Sequence, residues 1–229
     1  VEIARGRVPV IAGCGSNATA ESLELLDHAK RVGADAALTV CPYYNRPDQD
    51  GLYAHFKALN DGVAIPLFLY NVPSRTSSDL LPDTVAKLSR LPNIIGIKDA
   101  TGDMGRMTRH LNECADGFVF LSGDDPSAIA FNAHGGHGCI SVSANIVPEL
   151  IVALQVACET GDFEQARQIE SKLYPLHSAL FASPSPGPAK YALSRMGLCE
   201  PDIRLPLLQP AESARARIDE ALKIAEAVR

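Results

Sequence analysis

Six short runs rich in Val, Ile, Leu and Phe recur along the chain: VPVIAG (8–13), DAALTV (35–40), IPLFLYN (65–71), IIGIKDA (94–100), FVFLSG (118–123) and GCISVS (138–143). Runs this apolar read as parallel strands buried on both faces. Between them lie segments of helical pattern near 18–32, 50–61, 82–90, 104–114 and 126–133. The first has Asn17 or Thr19 as its expected N-cap and Gly33 placed to end it. Strand and helix therefore alternate six times, which restricts the chain to an open doubly wound sheet or a closed eight-stranded barrel.

The residues at the strand ends favour the barrel. The runs finish in different polar groups: Cys14 and Ser16, Tyr43, Tyr70 and Asn71, Lys98 and Asp99, Asp124, and Ser141. A barrel gathers all strand C-termini around one mouth, whereas an open sheet does not. The expected fold class is α/β, a (β/α)8 TIM barrel lacking its first two strands in this chain, with a C-terminal helical appendage. The opening at Val1 without methionine, in a segment VEIARGR that reads like the end of a helix, agrees with such a truncation. After Ser143 the pattern turns to helices alone, near 147–160, 163–182, 188–196 and 211–228. We expect strands 3 to 8 of the barrel over residues 1–165 and a packed helical region over 166–229.

Charge and composition narrow the function. A formal charge of -6 and a pI near 5.5 argue against a nucleic-acid or anionic-membrane binder, which needs a basic face. No apolar run approaches the ~20 residues that span a bilayer and no cationic leader precedes an apolar core, so a cytoplasmic protein is expected. Cys14, Cys41, Cys114, Cys139, Cys158 and Cys199 are scattered without a C-x-x-C pair and read as ordinary buried thiols rather than zinc ligands. Neither a dinucleotide fingerprint nor a phosphate-binding loop is present; GCGSN (13–17) is a near miss to the first.

Lys98, in GIKDATGD (96–103), is the residue with the clearest chemistry. Alternation along a strand puts it on the same side as Gly96, which leaves it room. In a dry barrel mouth desolvation favours the neutral amine that attacks a ketone. The bland alternative is a strand-end lysine paired with Asp99 or Asp103. Tyr70 ends the preceding strand in YNVPSRT (70–76) and stands where it can shuttle protons during imine formation, although singly it reads as a rim aromatic. Pro73 fixes the turn that follows. Arg75, a solvated loop residue on the bland reading, offers a planar fork for a carboxylate, so the substrate is an acid.

The runs PYYNRP (42–47), YNVPSRT, GIKDATGD, SGDD (122–125) and GGHGCISV (135–142), in this order and spacing, resemble the dihydrodipicolinate synthase family over essentially the whole chain. The resemblance implies a lyase that joins pyruvate, held as an imine on Lys98, to L-aspartate 4-semialdehyde, giving 4-hydroxy-tetrahydrodipicolinate for diaminopimelate and lysine biosynthesis. It implies Tyr70 as the proton relay and Tyr44 as the tyrosine lent to a neighbouring subunit, hence a homotetramer. It further implies Arg75 as the semialdehyde-carboxylate contact, and pyruvate contacts near Gly123 and Ile140. No cofactor is implied, because the lysine amine is itself the electron sink. Feedback inhibition by L-lysine would fall on Asn17, Glu21 and Tyr43. On the bland reading these are a cap, a first-turn acid favoured by the helix dipole and a packing aromatic.

One departure and three rivals accompany the resemblance. The family's Gly-Thr-Thr-Gly-Glu run, which supplies pyruvate-carboxylate contacts, has no counterpart here. N-acetylneuraminate lyase and the 2-keto-3-deoxy-sugar acid aldolases share the lysine and tyrosine but want hydroxyl partners where Arg75 offers a carboxylate fork. Asp124, Asp125, His134 and His137 could be read as hard-metal ligands, but the histidines sit in a glycine-rich turn before a strand. A truncated barrel acting as a binding or scaffold protein without catalysis is the third.

Overall fold

The computed structural model describes residues 1–226. The chain groups into two units, one of residues 1–123 with 134–137, the other of residues 124–133 with the chain from 138 onward.

In the first unit, β1 (Ile11–Gly13), β2 (Ala36–Val40), β3 (Leu67–Asn71), β4 (Ile94–Asp99) and β5 (Val119–Ser122) form one parallel sheet in the order β1-β2-β3-β4-β5. The crossovers carry α1 (Thr19–Arg31), α2 (Gln49–Gly62), the short α3 (Pro73–Thr76) followed by α4 (Pro82–Leu88), and α5 (Met104–Glu113). Strands adjacent in sequence are thus adjacent in space, as βαβ connections favour. Helix α1 packs on α2, α2 on α4 and α4 on α5.

The strand register sorts side chains between two different environments. Ala37, Leu67, Leu69, Ile97 and Phe120 share the face under the helices and are buried, together with Leu26, Leu52, Phe56, Leu59 and Met107. The opposite face carries Leu38, Val40, Tyr70, Lys98 and Leu121, all only partly buried. An apolar stretch buried on one side and half-open on the other is what lets one strand hold both core and chemistry.

In the second unit a 3-10 turn, Asp125–Ser127, leads into α6 (Ala128–Ala133), and another, Ser143–Asn145, precedes α7 (Pro148–Glu159), α8 (Phe163–Leu180), α9 (Gly187–Arg195) and α10 (Glu212–Glu226). Their core is Ile146, Leu154, Leu173, Leu176, Ile218 and Leu222. Asp162 caps α8 by accepting from the Gln165 N–H, and Pro148 and Pro188 stand in the first turns of α7 and α9, where a missing N–H costs nothing. The end expected for the last helix at 228 lies outside the described residues. No helix among the described residues is long and apolar enough to cross a membrane.

Three local expectations are corrected. The run 138–143 is not a strand; only Cys139 forms a bridge. The N–H groups of Val142 and Ser143 donate to Asp125 Oδ2 (2.9 and 3.4 Å) instead of a neighbouring strand, and Gly138 holds a φ of +149°. Neither Asn17 nor Thr19 caps α1. The N-cap is Ala18 without a side-chain bond, because the Thr19 hydroxyl pairs with His55 Nδ1 (2.9 Å). Finally, Cys199 is exposed, while Cys14, Cys41 and Cys158 are buried, and none of the six forms a disulfide. Residues 2–6 form turns, with one helix-like bond from the Arg5 N–H to the Val1 carbonyl (3.1 Å).

Candidate active site

Strand β4 ends where Asp99 folds back on its own chain. Its Oδ1 accepts from the Thr101 N–H and hydroxyl (2.7 and 2.6 Å). Gly102 then takes a φ of +70°, and Asp103 caps α5 by accepting from the Gly105 N–H (3.0 Å). These turns account for the DATGD half of the lysine motif. Asp99 is buried on the helix side with His110 Nε2 3.8 Å away, and Asp103 faces Arg106.

Lys98 sits in register with Tyr70 on β3, on the half-open face of the sheet. Its Nζ lies over the Tyr70 ring, 4.1 Å from the centroid, a cation–π geometry that seats the amine against the phenol. Burial pushes the Tyr70 phenol above its ordinary value, and the Arg75 guanidinium offsets part of that rise. Tyr70 is therefore a protonated acid at neutral pH, with a cation close enough to ease proton loss. Arg75 reaches this position because Pro73 opens α3 directly after β3 and Ser77, at φ +58°, ends it one turn later.

Gly96 shares the face of Lys98 as expected, but the room it leaves is for another residue. A β-carbon there would lie 2.5 Å from Phe68 Cε1 and 2.6 Å from the Val119 carbonyl. The space for Lys98 comes from Gly123, where a β-carbon would stand 2.8 Å from Lys98 Cε. The Gly123 N–H donates to the Asp99 carbonyl (2.7 Å), which fixes this glycine beside the lysine. Ile140 is partly buried in the second unit.

Tyr44 is 89% exposed and holds a φ of +74°, its N–H donating to the Thr76 carbonyl (3.3 Å). Asn45 links the loops after β1 and β2: its side-chain amide donates to the Asn17 carbonyl and its N–H to the Tyr43 carbonyl, both at 2.9 Å. Glu21, on α1, accepts from the Ser16 hydroxyl. Asn17, Glu21 and Tyr43 thus stand on segments joined by short hydrogen bonds.

Asp124, Asp125 and His137, among the groups read as possible metal ligands, are engaged in hydrogen bonds. Asp124 accepts from the Ser127 hydroxyl and N–H (2.6 and 3.2 Å), and Asp125 from Val142 and Ser143. His137 Nδ1 accepts from the Phe120 N–H (3.1 Å), while its own N–H donates to the Phe120 carbonyl. His134 is exposed in the turn before it. No group of three or more His, Cys, Asp or Glu that could hold a metal is found among the described residues.

Sequence reasoning missed a polar layer behind the site, in which Asn71, Asp79 and Arg106 join β3, the loop after it and α5. The Asn of YNVP was visible, but nothing local marks Asp79 and Arg106 as partners.

Residues 1–225 match the model of the dihydrodipicolinate synthetase family. The 4-hydroxy-tetrahydrodipicolinate synthase of Hyphomonas neptunium is 63% identical over 98% of this chain and 78% of its own length. The chloride-inhibited dihydrodipicolinate synthase of Acinetobacter baumannii, solved with pyruvate, is 45% identical at a TM-score of 0.95, covering 98% of this chain and 77% of that one. The enzyme of Cyanidioschyzon merolae, solved with lysine bound, is 34% identical at a TM-score of 0.91, covering 95% and 74%. The parallel sheet and its outer helices are accordingly those of a (β/α)8 barrel with helices appended at the C-terminal side. By that family match and by its 63% identity to a curated relative, the chain belongs to the dihydrodipicolinate synthetase family.

Proposed function

We infer that the chain is a 4-hydroxy-tetrahydrodipicolinate synthase, a lyase of lysine and diaminopimelate biosynthesis that condenses pyruvate with L-aspartate 4-semialdehyde. One observation carries the reading: Lys98 Nζ seated 4.1 Å from the Tyr70 ring centroid, at the paired ends of two adjacent parallel strands. The identity of 63% to a curated synthase favours this chemistry over the sugar-acid aldolases and over a scaffold without catalysis.

The neutral amine of Lys98 attacks the ketone carbon of pyruvate. Loss of water from the resulting carbinolamine leaves an imine, and loss of a methyl proton converts it to the enamine that adds to the aldehyde. Tyr70 supplies and recovers the protons of these steps, as a general acid–base within reach of the amine. Arg75 clamps the carboxylate of the semialdehyde, which its exposed position and planar fork allow. Backbone near Gly123 and Ile140 contacts pyruvate. The relatives solved with pyruvate and with lysine support the first substrate and the inhibitor: L-lysine would bind at the Asn17, Glu21 and Tyr43 segments. We further propose a cytoplasmic homotetramer in which Tyr44 serves a neighbour's site, and a chain divided into barrel over 1–165 and appended helices over 166–229.

The test is borohydride reduction in the presence of pyruvate, read by intact mass and peptide mapping. A single reduced adduct on Lys98 is expected, absent from Lys98→Ala, with product formed once the semialdehyde is added. A folded chain that takes up no adduct, or takes it at another lysine, would sink the reading.

A further inference from the structure

The loop that carries Arg75 is closed by the residue just before it. Asn71, fully buried at 0% exposure, follows Tyr70 on β3 but faces the helix side of the sheet. Its Oδ1 accepts from the Leu80 N–H (3.0 Å) and its Nδ2 donates to Asp79 Oδ1 (2.9 Å), so a single amide joins both ends of the segment 71–80. Arg106, on α5, then grips Asp79 with both ends of its fork, Nη1 to Oδ1 at 2.8 Å and Nη2 to Oδ2 at 2.6 Å. This pairing holds the Asp79 carboxyl below its usual range against the opposing effect of burial. Planar bidentate pairs of this kind fix orientation as well as distance.

Inside the closed loop, the Thr76 hydroxyl donates to the Ser78 carbonyl (2.9 Å) and the Ser78 hydroxyl to the Pro42 carbonyl (2.7 Å), while Thr76 accepts from the Tyr44 N–H. Ser77 holds a left-handed φ of +58°, a conformation that persists only where its surroundings impose it. A strut therefore runs from α5 through Asp79 and Asn71 to the two segments bearing Arg75 and Tyr44. It lies on the face of β3 opposite to Tyr70 and Lys98.

We propose that Asn71, Asp79 and Arg106 are positioning residues for the second substrate: they set the Arg75 guanidinium at the distance from the Tyr70–Lys98 pair that a short carboxylate-bearing aldehyde requires. This deepens the function proposed above and rests on it. Imine formation on Lys98 needs Tyr70, which the β3–β4 ladder holds, whereas selection of the aldehyde needs Arg75, which the clasp holds. The clasp is thus a device for discriminating the length of the acceptor, acting without touching it.

The experiment uses Asp79→Asn, which keeps shape but loses the ion pair, Arg106→Lys, which keeps the charge but loses the planar fork, and Asn71→Ala. The expected result is a KM for the semialdehyde raised by roughly ten- to a hundredfold, the loss that a small misplacement of a substrate clamp produces. Pyruvate KM and the borohydride-trapped adduct on Lys98 should remain at the wild-type level. If Asn71→Ala does not fold, the Asp79→Asn and Arg106→Lys variants carry the test. Equal losses for both substrates would mark the network as structural support and overturn the proposal, as would unchanged kinetics. A wild-type chain that traps no pyruvate would remove the function itself, whereas a trapping wild type with unshifted variants would remove the clasp alone.

Discussion

Lys98 occupies space that any residue larger than glycine at position 123 would take. In Gly123→Ala the new methyl would stand 2.8 Å from Lys98 Cε and 2.8 Å from Ala100 Cβ, closer than carbon atoms approach. The lysine has to swing, and a displacement of this size costs on the order of a hundredfold in a reaction that depends on attack geometry. Gly96→Ala is the matched control on the same sheet face, because its methyl meets the Phe68 ring and a backbone carbonyl instead. That overpacking should appear as about 1–3 kcal/mol of lost stability. The two variants, compared by the rate of borohydride trapping of the folded chain and by urea unfolding, should separate in trapping: Gly123→Ala slow to trap, Gly96→Ala destabilised but trapping at the wild-type rate. A Gly123→Ala chain that traps at the wild-type rate would show that the glycine makes no room for the amine. Lys98 and Tyr70 were legible from motif and strand position. Which glycine serves Lys98 was not, because that depends on the neighbouring strand.

Helices α1 and α2 are joined by a partly buried hydrogen bond between Thr19 Oγ1 and His55 Nδ1 at 2.9 Å, and His55 Nε2 has no hydrogen-bond partner. Burial lowers the His55 pKa to about 4, against a value of about 6.5 in an unfolded chain. Between these two values the unfolded chain binds a proton that the folded chain refuses, so stability rises with pH through the window and falls as the pH drops from about 6.5 toward 4. The urea midpoint should therefore be lower at pH 5 than at pH 7, and His55→Gln should flatten this dependence. An unchanged slope in the variant would assign the acid sensitivity to other groups. The helices themselves were readable from periodicity, with ends shifted by a few residues at most. The helix start at α1 was misread because Thr19 had a tertiary partner that competes with its own backbone for the hydroxyl.

At the scale of the whole molecule, the strained and exposed Tyr44 tests the proposed sharing of sites between subunits. Its backbone is held at φ +74° against Thr76, while its side chain, at 89% exposure, packs into no core of its own chain. If it completes a neighbour's relay, Lys98→Ala chains and Tyr44→Phe chains, each nearly inactive alone, should regain activity when co-expressed, because hybrids contain a site with both residues intact. Activity no greater than the sum of the two separate variants would place Tyr44 in its own subunit's site or outside catalysis. Sedimentation velocity on the same samples tests the tetramer directly.

The sequence by itself determined the alternation of strand and helix, the five strands of the sheet, and the pairing of a lysine with a tyrosine on adjacent strand ends. These follow from periodicity and from chemistry carried within a few residues of each position. Only the tertiary structure decided that the sixth apolar run gives its N–H groups to Asp125 instead of a strand neighbour. The same holds for Asp79 and Arg106, which meet across 27 residues of chain to brace the loop bearing Arg75. In each case several local partners were chemically acceptable, and the choice among them fell to whichever group packing had already brought within hydrogen-bonding distance.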